Sequence, residues 1–352
     1  MSLENIISPL DALSAVVDMP EACAFLDVRS EGEFGEAHLR GFFNVPVLTD
    51  QERHLVGTCY KQQGQDAAFA LGQQLTAPHK AERVAQWLAL AAQKKLIVCC
   101  WRGGARSRIA CEWLAERGVA TWRVRGGYKA LRQLLRARLD NPPPLLVLAG
   151  RTGVGKTTFL QASGMPFVDL EACACHRGSA FGHNGAQPTQ TQFENDVALA
   201  IWRPHPRYLI EDESRLIGKV ELPPPLKDAM YAAPTLLLEA DMNTRVQNIY
   251  DEYVRAPQNA GLDLPQLQAS LSQNIIKLQK KLGDLRCRHL LAALAAACNA
   301  PTQSAHEHFE WISLLLHDYY DPRYDHSFAQ QPRQLLCRGD AAQLLSYMPT
   351  MS

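Results

Sequence analysis

The segment LLVLAGRTGVGKTTFL (145–160) constrains the fold more than any other stretch of the chain. Gly150, Gly155, Lys156 and Thr157 fit the spacing G-x-x-x-x-G-K-[ST], with an apolar run before them and a helix-like run after. Glycines let a backbone close round an anion and turn its N–H groups inward. The lysine neutralises charge, and the threonine hydroxyl can hold a magnesium ion. Such a loop works between a buried strand and a helix N-terminus, so the segment demands an α/β sheet. Gly150, Thr152, Gly153, Gly155, Lys156, Thr157 and Thr158 are therefore the candidate phosphate or diphosphate site.

The chain supplies further strands on both sides. CAFLDV (23–28), KKLIVCC (94–100) and ATWRVRG (120–126) precede the loop, and RYLIED (207–212) and PTLLLEA (234–240) follow it. Between the early strands, DAAFALGQQL, AERVAQWLALAAQ and SRIACEWLAERG carry apolar residues at helical spacing, the last stopping at Gly118. Strand and helix in alternation predict parallel α/β sheets. DNPPP (140–144) is a stiff hinge and predicts two domains, 1–140 and 141–352. From about residue 264 the pattern turns helical. Leu271, Ile275, Leu278, Leu282 and Leu285 recur every three or four residues and predict one core-facing stripe.

Charge excludes little by itself: 36 lysines and arginines balance 36 aspartates and glutamates, so a nucleic-acid partner would need a local basic patch. No apolar run reaches the roughly 20 residues of a membrane helix. The acidic start lacks the features of a secretory signal, and a cytoplasmic protein without membrane contact is expected. The 10 cysteines lack framework spacing and are expected as thiols, with Cys23, Cys111 and Cys298 as small buried hydrophobes.

Two of these cysteines stand apart. In IVCCWRGGARSRIA (97–110) a strand meets a glycine loop and then a helix, which aims backbone N–H groups and helix-terminal positive potential at the loop centre. Cys100 begins the loop, and Cys99, by strand alternation, faces the other way. Cys100 is thus the expected nucleophile, within a cradle of Arg102, Gly103, Gly104 and Arg106. A second acidic cluster, Glu211, Asp212 and Glu213, follows an apolar strand and predicts a carboxylate near a magnesium ion, with Thr157 and Asp212 as the expected ligands. His176 and Arg177, before Gly178 and Ser179, suggest an anion-binding turn. Cys173, Cys175 and His176 lack a second ligand pair at zinc spacing. No tightly bound organic cofactor is expected.

LDVRSEGEF (26–34), AHLRGFFNVP (37–46), the Cys100 loop and VRGGYKAL (124–131) together resemble a rhodanese domain, although Ala37 and Phe42 stand where glycine and alanine are usual. Joined to the phosphate loop, and with ERHLVGTCYKQQG (52–64), DLEACACHRGSAFG (169–182), QPTQTQFEN (187–195), EDESRLIG (211–218) and YYDPRYD (319–325), the chain resembles the bacterial tRNA 2-selenouridine synthase family from end to end. Cys173 and Cys175 depart from the smaller residues expected before HRGS.

That resemblance implies a fold class and a chemistry. The fold is α/β: a rhodanese-like parallel sheet, then a P-loop α/β domain with a helical C-terminal part. The substrate is tRNA with 2-thiouridine at the wobble position. Geranyl diphosphate, bound at the phosphate loop with Mg, alkylates the sulfur. Selenium from selenophosphate then replaces the S-geranyl group at the Cys100 loop, through a Cys100 perselenide or by direct attack with the cysteine assisting. Arg102 and Arg106 bind the selenophosphate or orient the loop. A selenophosphate synthase is the implied supplier. Trp101 offers a stacking platform, and Lys277, Lys280, Lys281, Arg286 and Arg288 offer a phosphate track for the tRNA. Three rivals stay open: an ATP-dependent tRNA sulfurtransferase, a nucleotide-binding regulator with a rhodanese module, and a cysteine phosphatase.

Overall fold

A computed structural model describes residues 4–91, 94–176, 186–300, 302, 304–331 and 333–348. The chain forms two compact units, Met1–Asn141 with Pro188–Pro204, and Pro142–Gln187 with His205–Ser352.

The first unit is built on five strands: β1 (Glu4–Ile7), β2 (Cys23–Asp27), β3 (Phe42–Asn44), β4 (Lys95–Cys99) and β5 (Thr121–Val124). Their order is β1-β5-β4-β2-β3, and every pair is parallel. The central strands β2 and β4 are apolar on both faces because helices cover both, as parallel sheets require. Trp87, Leu96, Val98, Cys111 and Leu114 form one core on this sheet. Phe42, the departure from the rhodanese pattern, is buried against Phe25 with ring centroids 5.2 Å apart. Chain segments leaving β2, β4 and β5 meet at the carboxyl edge of the sheet, the usual ligand edge of open α/β sheets.

The second unit repeats the logic with β6 (Leu145–Ala149), β7 (Phe167–Val168) and β8 (Tyr208–Glu211), a short antiparallel hairpin of β9 (Leu216–Ile217) and β10 (Val220–Glu221), then β11 (Pro234–Leu238) and β12 (Gln334–Gly339). The main sheet has the order β12-β11-β6-β8-β7, all parallel. The phosphate-loop strand β6 lies at its centre, buried throughout.

Two expectations need correction. The second domain is not continuous from 141: residues 188–204 belong with the first unit. The helix Gln190–Ala200 packs on the helix Gly127–Asp140, with Phe193 and Val197 fully buried. Asn195 Nδ2 donates to Tyr128 Oη at 2.9 Å and to His38 O at 3.1 Å, Arg132 pairs with Glu194, and Arg138 Nε donates to Ile201 O at 2.7 Å. The leucine stripe is also broken. Leu271, Ile275, Leu278 and Leu282 are buried, but Leu285 is 75% exposed. Gly283, at φ +85°, ends the helix Gln279–Leu282 and restarts the register in the helix Asp284–Cys298, where Cys287, Leu290 and Leu294 take the inward face.

Candidate active sites

The thiol loop lies in the first unit. Cys100 follows β4 and precedes the helix Ala105–Ala115. Its Sγ lies 3.2 Å from Ser107 Oγ, a hydroxyl able to accept from a thiol or donate to a thiolate. Cys99 is fully buried and its thiol bonds Cys100 O at 3.3 Å. Burial, then the nearby Asp27 and Cys100, push its pKa upward, which makes it inert.

Two glycine turns meet beneath Cys100. Tyr128 N donates to Cys100 O at 2.8 Å, and Lys129 N to Trp101 O at 3.0 Å. Gly127 sits at φ +60°, and a Cβ there would fall 2.1 Å from Cys100 O and 2.4 Å from Gly103 N. Gly127→Ala is therefore expected to push the thiol loop out of place. Thermal melting should fall by several degrees, because backbone strain and a backbone clash together cost about 1–3 kcal/mol or more. Any chemistry that depends on the Cys100 thiol should be lost ahead of global folding.

The LDVRSEGEF segment forms the loop's floor. Arg29 is fully buried, paired with Asp27 at 2.7 Å, and donates to Glu33 O and Ala37 O at 3.1 and 2.9 Å. Its guanidinium lies 3.8 Å from the Tyr128 ring centroid and 5.8 Å from that of Trp101. Arg106 donates to Glu33 at 2.5 and 3.1 Å. These bonds clamp the first turn of the helix to Glu33. Arg102 is exposed, while Gly103 and Gly104 form the turn.

Burial opposes ionisation of Glu33, but the Arg106 hydrogen bonds and charge overcome it and hold the carboxyl down at about 2. A depressed carboxyl pKa stabilises the fold above its unfolded value and loses that contribution as pH falls. Acid unfolding followed between pH 4.5 and 2 should therefore show a Glu33-dependent loss of stability, flattened in Glu33→Gln.

The phosphate loop lies in the second unit, at the carboxyl end of β6 before the helix Lys156–Ala162. Thr152, Gly153, Gly155, Lys156, Thr157 and Thr158 line a cavity of about 740 Å³. Gly153 and Gly155 have φ of +83° and +86°. Arg245 Nε holds Thr152 O at 2.9 Å and Asn248 Nδ2 holds Gly153 O at 2.8 Å. A trans peptide sets its N–H opposite its C=O, so fixing these carbonyls orients the loop's amides before a ligand arrives. Gly150 does not line the cavity; a Cβ there would meet Val154 at 2.7 Å and Leu238 O at 2.8 Å.

Carboxylates form the opposite wall. Oxygens of Glu171, Glu211 and Glu213 all lie within 4.8 Å of one another. Glu211 Oε1 accepts from Glu171 N at 2.9 Å, while Glu211 Oε2 is buried with no hydrogen-bond partner among the described residues. Lys156 Nζ stands 4.0 Å from Glu213. Burial raises the Glu211 and Glu213 carboxyls, Glu213 to about 7. Burial alone would lower Lys156, but Glu213, Glu171 and Glu211 outweigh it and keep the ammonium charged. Three converging carboxylates with an orphan oxygen suit a hard divalent cation.

Asp212, expected as the metal ligand, points elsewhere: it pairs with Arg333 at 2.8 Å. Alternation past the strand end puts Glu211 and Glu213 on the cavity side and Asp212 on the other. Thr157 remains on the cavity wall. His176 is buried, with its N–H bonded to Glu171 O at 3.0 Å; Arg177 lies outside the described residues.

Sequence reasoning missed the loop's supports. Arg245 is buried and pairs with Asp321 at 2.5 Å, and Arg151 pairs with Asp325 at 2.6 Å. YYDPRYD thus braces the phosphate loop from a distant part of the chain. Arg151 and Val154 also border a second cavity of about 240 Å³ with an apolar side of Leu237, Leu238, Ala240 and Phe328 and a charged side of Glu239, Arg245, Asp325 and Arg338. Lys277, Lys280, Lys281, Arg286 and Arg288 are all exposed, but Arg286 lies 3.6 Å from Asp318 and Lys277 bonds Asn274. Among the described residues, no helix is long and apolar enough to cross a membrane.

Comparison with known proteins agrees with both loops. Residues 143–352 match the family model "tRNA 2-selenouridine synthase AAA domain", and residues 12–134 match "Rhodanese-like domain". The chain is 38% identical to a tRNA 2-selenouridine synthase of Shewanella oneidensis over 93% of this chain and 92% of the relative. It is 40% identical to that of Shewanella woodyi, covering 89% and 90%, and 39% identical to that of Hahella chejuensis, covering 92% and 90%. With matching domain models in sequence and relatives aligned along nearly their whole length, this chain belongs to the tRNA 2-selenouridine synthase family.

Proposed function

We propose that the chain converts 2-thiouridine at the tRNA wobble position into 2-selenouridine, in two steps at two sites. In the first, the sulfur attacks carbon 1 of geranyl diphosphate. The carbon–oxygen bond breaks, its electron pair leaves with diphosphate, and the base gives up its N3 proton. Lys156 and the loop amides hold the diphosphate, and the hydrocarbon tail lies along the apolar side of the adjoining cavity, on Val154, Leu237, Leu238 and Phe328. Glu171, Glu211, Glu213 and Thr157 would hold a magnesium ion, which adds positive charge to the departing diphosphate.

In the second step, alkylation has made sulfur a leaving group. Cys100 thiolate adds at carbon 2 and expels geranylthiol. Selenium of selenophosphate then displaces Cys100, and water cleaves the selenium–phosphorus bond to release phosphate. Covalent relay of this kind splits one hard substitution into two easier ones. Arg106 keeps the loop in register through Glu33, and exposed Arg102 is available to the selenophosphate anion.

The observation that carries this reading is the pairing, on one chain of this family, of two anion cradles with different chemistry. One has a thiol at its head, and the other has a half-buried lysine facing three carboxylates. The test incubates the full chain with 2-thiouridine tRNA and geranyl diphosphate, selenophosphate or ATP, singly and together, and weighs the nucleosides. A geranylated intermediate formed without ATP supports the reading. ATP-dependent sulfur insertion favours the sulfurtransferase, and unchanged tRNA favours the regulator. Phosphate release from an aryl phosphate that needs Cys100 favours the phosphatase.

A further inference from the structure

We propose that the rim of the thiol loop is the docking surface for the RNA anticodon loop, with Trp101 as its stacking platform and Arg102, Arg125, Lys129 and Arg136 as its phosphate contacts. This rests on the functional reading above and assigns a surface that the reading leaves open.

Backbone geometry brings these residues together. Lys129 N bonds Trp101 O at 3.0 Å, and Arg125 precedes the Gly126–Gly127 turn that touches Cys100 and Gly103. Lys129 and Arg136 lie on the helix Gly127–Asp140, seven residues and two turns apart on one face, about 10 Å along its axis. The cations therefore begin at the mouth of the thiol loop and run away from it as a stripe.

Their lack of partners is the second point. Elsewhere in this unit several exposed cations are balanced, Arg53 by Asp50, Lys80 by Glu116, Arg108 by Glu112 and Arg203 by Asp18, while Lys61 and Arg117 stand singly, away from the thiol loop in sequence. Arg102, Arg125, Lys129 and Arg136 are exposed, and none pairs with a carboxylate among the described residues. In a chain whose charges cancel overall, a run of unbalanced cations is a local positive field suited to a polyanion.

Trp101 is the third. Its ring lies 5.6 Å from that of Tyr128 and 5.8 Å from the Arg29 guanidinium, yet it stays 37% exposed beside a near-buried Cys100. An aromatic held from below and open above offers a π-face to an unstacked base, and single-stranded loops present such bases cheaply. A free anion such as selenophosphate would need one or two cations. A stripe of four with an aromatic fits an RNA strand.

The experiment measures binding of an anticodon stem-loop RNA to the full chain by fluorescence anisotropy at several salt concentrations. Arg125→Glu/Lys129→Glu should weaken binding at least about tenfold at 0.1 M salt and flatten the log–log salt slope by about 1 to 2. Arg136→Glu should act in the same direction, more weakly. Trp101→Ala should cost about tenfold with the slope unchanged, and Trp101→Phe should restore most of it. Lys80→Ala/Arg108→Ala, which removes two cations already balanced by Glu116 and Glu112, should bind as the unaltered protein does, and Lys280→Glu/Lys281→Glu tests the rival track on the helical segment. Circular dichroism checks that each variant is folded. Unaltered binding by the Arg125→Glu/Lys129→Glu and Arg136→Glu variants, or a loss confined to Lys280→Glu/Lys281→Glu, would overturn the surface. Failure of the unaltered protein to bind or modify the RNA at all would instead sink the functional reading.

Discussion

Cys100→Ser is expected to abolish 2-selenouridine formation, by about 10³-fold or more, while S-geranyl-2-thiouridine still forms and accumulates. A serine hydroxyl at this place has no base to strip its proton. The only side chain hydrogen-bonded to Cys100 Sγ among the described residues is Ser107, itself a neutral hydroxyl. Cys99→Ser changes the neighbouring sulfur by the same single atom and should keep activity within several-fold. Cys99 lies on the inner face of β4, its thiol bonded to Cys100 O, and its raised pKa keeps it protonated. Its replacement should cost about 1 kcal/mol of stability, because the sulfur's burial is lost and a hydroxyl takes its place. Nucleoside mass spectrometry on tRNA treated with each variant separates the outcomes. Withholding selenophosphate from the unaltered protein should trap RNA on Cys100, detectable as a mass-shifted protein that Cys100→Ser lacks. Selenation lost in Cys99→Ser and kept in Cys100→Ser would reverse the assignment of the two sulfurs.

What the sequence made legible follows the range of its local rules. The phosphate loop and the thiol loop each depend on glycines, alternation and a helix start within about fifteen residues, and both stand where those rules put them. Alternation favours Cys100 over Cys99 for the loop, and the same rule applied beyond β8 places Glu211 and Glu213, not Asp212, on the cavity side. Leu285 was misplaced because spacing was counted through Gly283, whose left-handed turn resets the helix. The edge strand β12 (Gln334–Gly339) was not legible, because its side chains are mostly exposed or half-buried and carry no clean apolar pattern. Long-range supports were the least accessible. Nothing local in YYDPRYD says that Asp321 will meet Arg245 or that Asp325 will meet Arg151. Likewise nothing local in QPTQTQFEN says that Asn195 Nδ2 will donate to His38 O or that Gln192 Oε1 will accept from His38 N, the bonds that help tie residues 188–204 to the first unit. Such pairs belong to tertiary structure alone.

Lys156→Ala carries the second large effect, and it separates the two steps. The ammonium faces the carboxylate wall, 4.0 Å from Glu213, and it bonds Gly150 O at 3.4 Å across the base of the loop. Removing it leaves Glu171, Glu211 and Glu213 facing the diphosphate without the charge that offsets them. A preorganised charge at a developing anion is worth about 3–4 kcal/mol, so geranyl transfer should fall about 10²–10³-fold. The fold should persist, because the glycine turns and the Arg245 and Asn248 hydrogen bonds to Thr152 O and Gly153 O do not involve Lys156. RNA already carrying S-geranyl-2-thiouridine bypasses this step, and the variant should selenate it within a few-fold of the unaltered rate. Geranyl transfer is read from 2-thiouridine RNA, and selenation from the pre-alkylated RNA, with the same preparation of protein. If Lys156→Ala alkylated normally, the diphosphate would lie elsewhere. If it lost both reactions equally, the phosphate loop would serve the selenium step as well, and the division of chemistry between the two loops would fail.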